Sequence, residues 1–289
     1  MEVIVMMYLY RVLLFAATAL AVCICPVLGE TPGADFMSAA LRHQGDITVE
    51  AIYSRSTIYD DGSKSLTDWA SVHYVRTPGV LSLVEDHKSG SIERVSHSYD
   101  LSSHDYRALC AHRDGSQHGT VDNQLAGAFI RQDMVDAAHY PLFVNPASGS
   151  RLLCDWIAES GVVRGNEVVG GRDCVRVNID APLDGIRSFL VWLDRSYGYS
   201  PARIEIKWKG GSIERVDFKD YRIVGDGLWF PGQQTIRLWD EKGKSDFQVI
   251  NTVKSVTAGP DPGKDKLIVQ FSKGTPVLVG RCTVPVAWP

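Results

Sequence analysis

The chain has 289 residues, 45% of them hydrophobic and 22% charged, and its 30 Lys and Arg against 34 Asp and Glu leave a formal net charge of −4. A mildly acidic surface of mixed sign offers neither nucleic acid nor an anionic membrane an electrostatic hold, so neither is expected as a partner. The length admits one substantial β domain or two small ones.

In chain order, the first element is a secretory signal peptide over residues 1–29. A short n-region carries Arg11, the apolar run "VLLFAATALAVCICPVL" fills residues 12–28, and small or aliphatic Val27 and Gly29 precede Glu30. A membrane anchor is the alternative, but the run is near the lower limit for spanning and contains Pro26. A lipid-anchored cysteine is preceded by a small residue; here Val22 precedes Cys23 and Ile24 precedes Cys25, which speaks against one. Cleavage near Gly29 removes Glu2 and Arg11 together and leaves the net charge at −4. No later apolar run is long enough to cross a bilayer, so the mature form is expected to be secreted or periplasmic and not membrane-spanning.

Residues 34–44 ("ADFMSAALRHQ") have the pattern of a short helix. Residues 47–58 then alternate Ile47, Val49, Ala51 and Tyr53 on one face, and "WASVHYVR" sets Ala70, Val72 and Tyr74 against Ser71 and His73. Further along, Val175, Val177 and Ile179 alternate with Arg176, Asn178 and Asp180, and Ile204, Ile206 and Trp208 with Glu205 and Lys207. This period of two marks strands with one covered and one wet face. Gly-bearing turns separate them ("DDGS", "RDGS", "GNEVVGGRD", "KGGS", "VGDG", "EKGK"), which predicts antiparallel hairpins. Two helical stretches interrupt the strands. One is residues 133–140, stopped by Pro141. The other is residues 151–160, with Leu152, Leu153, Trp156 and Ile157 on one stripe. A helical layer across one face of a curved sheet follows.

"KSGSIERV" at 88–95 and "KGGSIERV" at 209–216 agree at seven of eight positions. The similarity stops at once on both sides, whereas a duplicated domain would extend it over tens of residues. Both copies are expected to be hairpin turns leading into strands that begin at Ile92 and Ile213.

Residues that might carry chemistry are few. Four cysteines follow the signal peptide, Cys110, Cys154, Cys174 and Cys282, with no CxxC. In an exported chain a Cys154–Cys174 disulfide would tie a helix end to the next hairpin, free buried thiols being the alternative. All eight histidines fall between His43 and His139. His104, Cys110, His112 and His118 lie close in sequence, and Cys110 and His112 share a strand face. His118 lies beyond the "RDGS" turn, however, and no acid stands at a ligand spacing, so no metal site is expected. "DLSSHD" at 100–105 does not match an EF-hand loop. No GxSxG elbow, phosphate cradle or papain-like cysteine is present, and no cofactor or catalytic residue is expected. A histidine-based enzyme would need His104, His112 or His118 to meet an acid in a cleft.

The most informative stretch is 189–231. A strand carries Trp192-x-Asp194 and is followed by a turn with Tyr197, Gly198 and Tyr199. Pro201 opens a strand containing Arg203 and Ile204, and Gly227-Leu228-Trp229-Phe230-Pro231 begins another. With "VVRGNEVVGGRDCVRV" upstream and the tyrosine-bearing "SHSYDLSSHDYRAL" earlier, this succession resembles the core hairpins of the LolA/LolB-like superfamily, the bacterial lipoprotein-localisation carriers. The resemblance covers about residues 34–271, and the ending "FSKGTPVLV" is similar to secreted members without assigned activity.

The resemblance implies a mainly β fold: one strongly curved antiparallel sheet, an incomplete barrel, with a few helices over its concave face. It implies a single domain over residues 30–289 with a C-terminal tail from about 272. It further implies a groove between sheet and helices for a lipid or acylated protein; the candidate lining residues, taken from inward strand positions and the helical stripe, are Leu152, Trp156, Val191, Leu193, Ile204, Ile206 and Trp208. Each buried CH₂ of a ligand tail would contribute roughly 0.8 kcal/mol. Trp192 and Asp194 are expected on the other face. The alternative is a non-enzymatic scaffold of the cell envelope in which the same residues form a filled core.

Overall fold

The computed structural model describes residues 33–45, 47–59, 70–88, 90–100, 102–103, 105–122, 153–179, 186–225, 227–280 and 285–288. The expected helix at 133–140, the proposed signal peptide, Leu152, His104 and Cys282 lie outside the described residues.

Helix α1 spans Ala34–Gly45 and turns Met37 and Leu41, one helical turn apart, into the core; Asp35 in its first turn complements the helix dipole. A meander follows: β1 (Val49–Tyr59), β2 (Ala70–Arg76), β3 (Val80–His87), β4 (Ile92–Asp100), β5 (Asp105–His112) and β6 (Gln117–Asp122). Helix α2 (Leu153–Ser160) buries Leu153, Cys154, Trp156 and Ile157. It passes directly into β7 (Gly161–Val169), and Gly161 is required there because a Cβ would stand 2.3 Å from the Ile157 carbonyl oxygen.

Strands β8 (Arg172–Ile179) and β9 (Ile186–Asp194) come next. A 3₁₀ turn over Arg195–Tyr197 leads to β10 (Ser200–Trp208) and β11 (Ile213–Lys219). The short pair β12 (Arg222–Val224) and β13 (Leu228–Phe230) stands apart, and β14 (Gln233–Trp239) and the long β15 (Ser245–Ala258) return to the sheet. A one-turn helix α3 (Lys264–Leu267), β16 (Pro276–Val279) and β17 (Val286–Ala287) end the chain.

Among the described residues, fifteen strands form one curved sheet that does not close, in the order β17-β16-β6-β5-β4-β3-β2-β1-β15-β14-β11-β10-β9-β8-β7. Neighbours are antiparallel except β16 and β6, which run parallel. The two meanders meet at β1 and β15, paired from Val49↔Ala258 to Tyr59↔Phe247. The fold is therefore the expected mainly β, half-barrel architecture. Its concave face carries the main core, and α1 and α2 pack onto that core through Met37, Leu41, Leu153, Trp156 and Ile157.

Both "IERV" segments follow hairpin turns, between β3 and β4 and between β10 and β11. The glycines at equivalent positions, Gly90 and Gly211, have φ of 85° and 92°, which side chains disfavour. One turn chemistry serves two hairpins.

Residues after β15 cross the convex face, where Leu267 packs on Val75 and Val80, and Val269 and Phe271 pack with Val277. The Val269 amide donates to Ser98 Oγ at 2.9 Å. Gly119 leaves room for this crossing, since a Cβ there would lie 2.4 Å from Phe271 Cε1.

Candidate functional site

The concave face has a mainly apolar half and a half in which a polar network is set among apolar side chains such as Leu83 and Val249. In the apolar half, strand parity aims Val175, Val177, Val191, Leu193, Ile204 and Ile206 at the two helices. Of the expected groove residues, Trp156, Val191, Leu193, Ile204 and Ile206 are all buried in this one cluster, and partly buried Trp208 packs against it. Trp156 meets Phe189 edge-on, ring centroids 6.4 Å apart. The Trp156 ring is 3% exposed, yet its indole N–H finds no acceptor among the described residues. A buried donor left without a partner costs about 1–3 kcal/mol, so an acceptor brought to this point would be favoured. The helices are clasped to each other: Ser38 Oγ donates to the Cys154 carbonyl at 2.7 Å, and Arg42 pairs with Asp155.

The polar half lies across β1, β3, β4 and β15. Arg55 and Glu85 form a buried ion pair. Arg55 Nε also donates to Asn251 Oδ1 at 3.1 Å, and Asn251 Nδ2 donates to Gln234 Oε1 at 2.8 Å. Burial pushes the Glu85 carboxyl up. The Arg55 charge, the His87 hydrogen bond and the nearby His97 outweigh burial and hold it below its ordinary value. One strand further, His97 Nδ1 lies 2.9 Å from the buried Tyr106 hydroxyl. This network joins residues from non-adjacent strands, and no short motif announces it.

Beyond Tyr106 on the same face stand Cys110 and His112, and β5–β6 pairing sets His118 directly opposite Cys110. The sequence-level objection that the turn removes His118 fails, because the hairpin register returns it.

The Cys154–Cys174 bond is not formed: both are free, buried thiols. Cys174 alternates with Val175 and so faces the convex side, packed with Val169, Leu190, Trp192 and Ala202. Cys154 lies in the core on the concave side. The sheet separates the two sulfurs. Burial pushes both thiols up to about 11, which keeps them protonated and unreactive at neutral pH.

The Trp192-x-Asp194 motif builds a corner. Trp192 is on the convex side, as expected, and its indole donates to Glu167 Oε2 at 2.7 Å. Asp194, fully buried, caps the 3₁₀ turn by accepting from the Ser196 amide at 2.9 Å. It also lies 3.3 Å from Arg172. Tyr197 stacks on Tyr221 with centroids 5.1 Å apart and meets Trp229 at 4.9 Å, while Tyr221 Oη donates to the Pro201 carbonyl at 2.6 Å. The motif that is so legible in the sequence organises folding, not chemistry. Likewise, Asp100 of "DLSSHD" is occupied by Ser102, Ser103 and Lys264.

An unclosed sheet of this topology, with helices on its concave side, defines the class of open half-barrel folds. Two solved structures share it. The first is a domain from Vibrio parahaemolyticus assigned provisionally to outer-membrane lipoprotein sorting. It has a TM-score of 0.56 and 11% identity, over 81% of this chain and 95% of that one. The second is a DUF1329 family protein from Desulfovibrio piger, with a TM-score of 0.55 and 12% identity, over 81% of this chain and 98% of that one. No protein-family model and no curated protein matches the sequence. This chain shares the fold of both.

Proposed function

We propose that this is an exported envelope protein, directed by residues 1–29, that binds a lipid or acylated ligand between the apolar half of the concave face and helices α1 and α2. The observation that carries this reading is the Trp156 indole. It is a buried hydrogen-bond donor with no acceptor among the described residues, set in an otherwise aliphatic surface. An acyl chain with a carbonyl or carboxylate near its head meets both requirements. The tail replaces aliphatic contacts, and the head accepts from the indole. Entry needs the helices to part, which breaks the buried Ser38–Cys154 hydrogen bond and the exposed Arg42–Asp155 pair. On this reading the protein is a binder, not a catalyst, and uses no cofactor.

The complete burial of Val191 and Leu193 favours a second reading, an envelope scaffold with a filled core and no small ligand.

Native mass spectrometry of the protein purified from the envelope separates the two readings. Co-purifying lipid mass is expected, together with displacement of a fluorescent fatty acid. Trp156→Phe, which keeps the ring but removes the donor, should weaken probe binding about 2–12-fold, the worth of one neutral hydrogen bond. Clean apo protein with no probe binding would establish the scaffold instead.

A further inference from the structure

The strongest unassigned constellation lies on the hairpin of β5 and β6. Cys110 Sγ stands 3.8 Å from His112 Nε2, and His112 Nε2 stands 3.2 Å from His118 Nδ1. The three donor atoms all lie within 4.8 Å of one another. Two features of the strands produce this. Cys110 and His112 are two apart on β5 and so share a face, and the antiparallel register sets His118 across from Cys110. The turn at Arg113–Ser116 fixes that register. The Asp114 carboxylate accepts from the Ser116 amide at 2.9 Å, and the His112 amide donates to the Ser116 carbonyl at 2.9 Å.

We propose that Cys110, His112 and His118 bind one zinc ion. Tetrahedral zinc with Zn–N of about 2.05 Å and Zn–S of about 2.3 Å places nitrogens about 3.3 Å apart and sulfur about 3.6 Å from nitrogen. The observed 3.2 and 3.8 Å lie close to two of the three donor–donor edges, and side-chain rotation closes the third, which is within 4.8 Å. The donor set is also right: one thiolate and two imidazoles suit a borderline-soft ion, not calcium or magnesium. Cys110 is 4% exposed while both imidazoles are half-buried, so the sulfur is shielded and the ion enters past the rings. The described residues supply three donors, and water completes the tetrahedron. Binding displaces the thiol proton and so strengthens as pH rises. The site does not depend on the amphiphile reading, because it lies beyond the polar half of the face, away from α1 and α2.

The competing account is an imidazole–imidazole hydrogen bond beside a buried thiol, which binds no ion. Titration of metal-free, reduced protein with Co²⁺ distinguishes them. Expected are one equivalent bound, a near-ultraviolet thiolate-to-cobalt band, tetrahedral visible bands, and displacement by Zn²⁺. His112→Ala and His118→Ala, at half-exposed positions, should each lower affinity by more than about 100-fold, beyond the 10–100-fold that loss of a ligand's supporting partner costs. Cys110→Ser should abolish the charge-transfer band, with far-UV circular dichroism confirming the fold. His73→Ala, a histidine paired with Glu50 at 2.7 Å elsewhere on the sheet, should change nothing. Absence of stoichiometric cobalt or zinc binding would overturn the proposal, as would binding that survives all three substitutions. Tighter retention of Cu⁺ than of Zn²⁺ by the same three residues would overturn the assignment to zinc.

Discussion

The two halves of the concave face solve the same problem by different physics. Under α1 and α2, inward positions are Val175, Val177, Val191, Leu193, Ile204 and Ile206. Across β1, β3 and β15, buried inward positions hold Arg55, Glu85 and Asn251 among apolar neighbours such as Tyr53, Leu83 and Val249. The aliphatic half is held by non-directional burial and dispersion, which depend on volume more than on identity. The polar half is held by directional contacts, and each member is costly once its partner is gone. One half should therefore tolerate changes that conserve volume, while the other should not tolerate loss of a single partner.

The comparison breaks most visibly at the ion pair. Glu85→Ala strands the Arg55 guanidinium in the interior and should destabilise the protein by roughly 3–5 kcal/mol in urea unfolding. The double replacement Arg55→Met with Glu85→Leu should recover most of that loss. Equal damage from the double variant would mean that the polar half contributes net stability and not only specificity. Acid titration tests the same pair. The Glu85 carboxyl titrates below its ordinary value of 4.5 in the folded protein, so its contribution is complete above that pH. It is lost as pH falls through the depressed value. Stability should decline on acidification, and the decline should be shallower in the double variant.

In the aliphatic half, Leu193→Ala should cost about 2–5 kcal/mol through the cavity it leaves, whereas Leu193→Met, nearly equal in volume, should cost less than about 1.5. If the Met variant were as damaging as the Ala variant, shape would matter there as much as in the polar half. The smallest effect is expected at the helix clasp. Arg42 and Asp155 have side chains 52% and 31% exposed, so Arg42→Ala should change stability by no more than about 1 kcal/mol. If the clasp gates the groove, the same substitution should speed the release of a bound fatty acid probe, read by stopped-flow fluorescence.

Much of this was written in local sequence. Side chains alternate with a period of two along any strand, so it follows from sequence alone that Val191 shares a face with Leu193, and Ile204 with Ile206. Positive-φ glycines such as Gly90 and Gly211 mark their turns for the same local reason. What alternation cannot supply is which element covers which face, or which strands become neighbours. Cys154 and Cys174 looked like partners along the chain, yet the helix lies on one side of the sheet and Cys174 points to the other. His118 looked displaced by a turn, yet hairpin register set it opposite Cys110. Arg55 and Glu85 belong to strands separated by β2, and their pairing depends on the curvature of the sheet. Backbone parity is a property of consecutive residues. Register, facing and cross-sheet contact depend on where distant segments come to rest, and only the assembled sheet decides them.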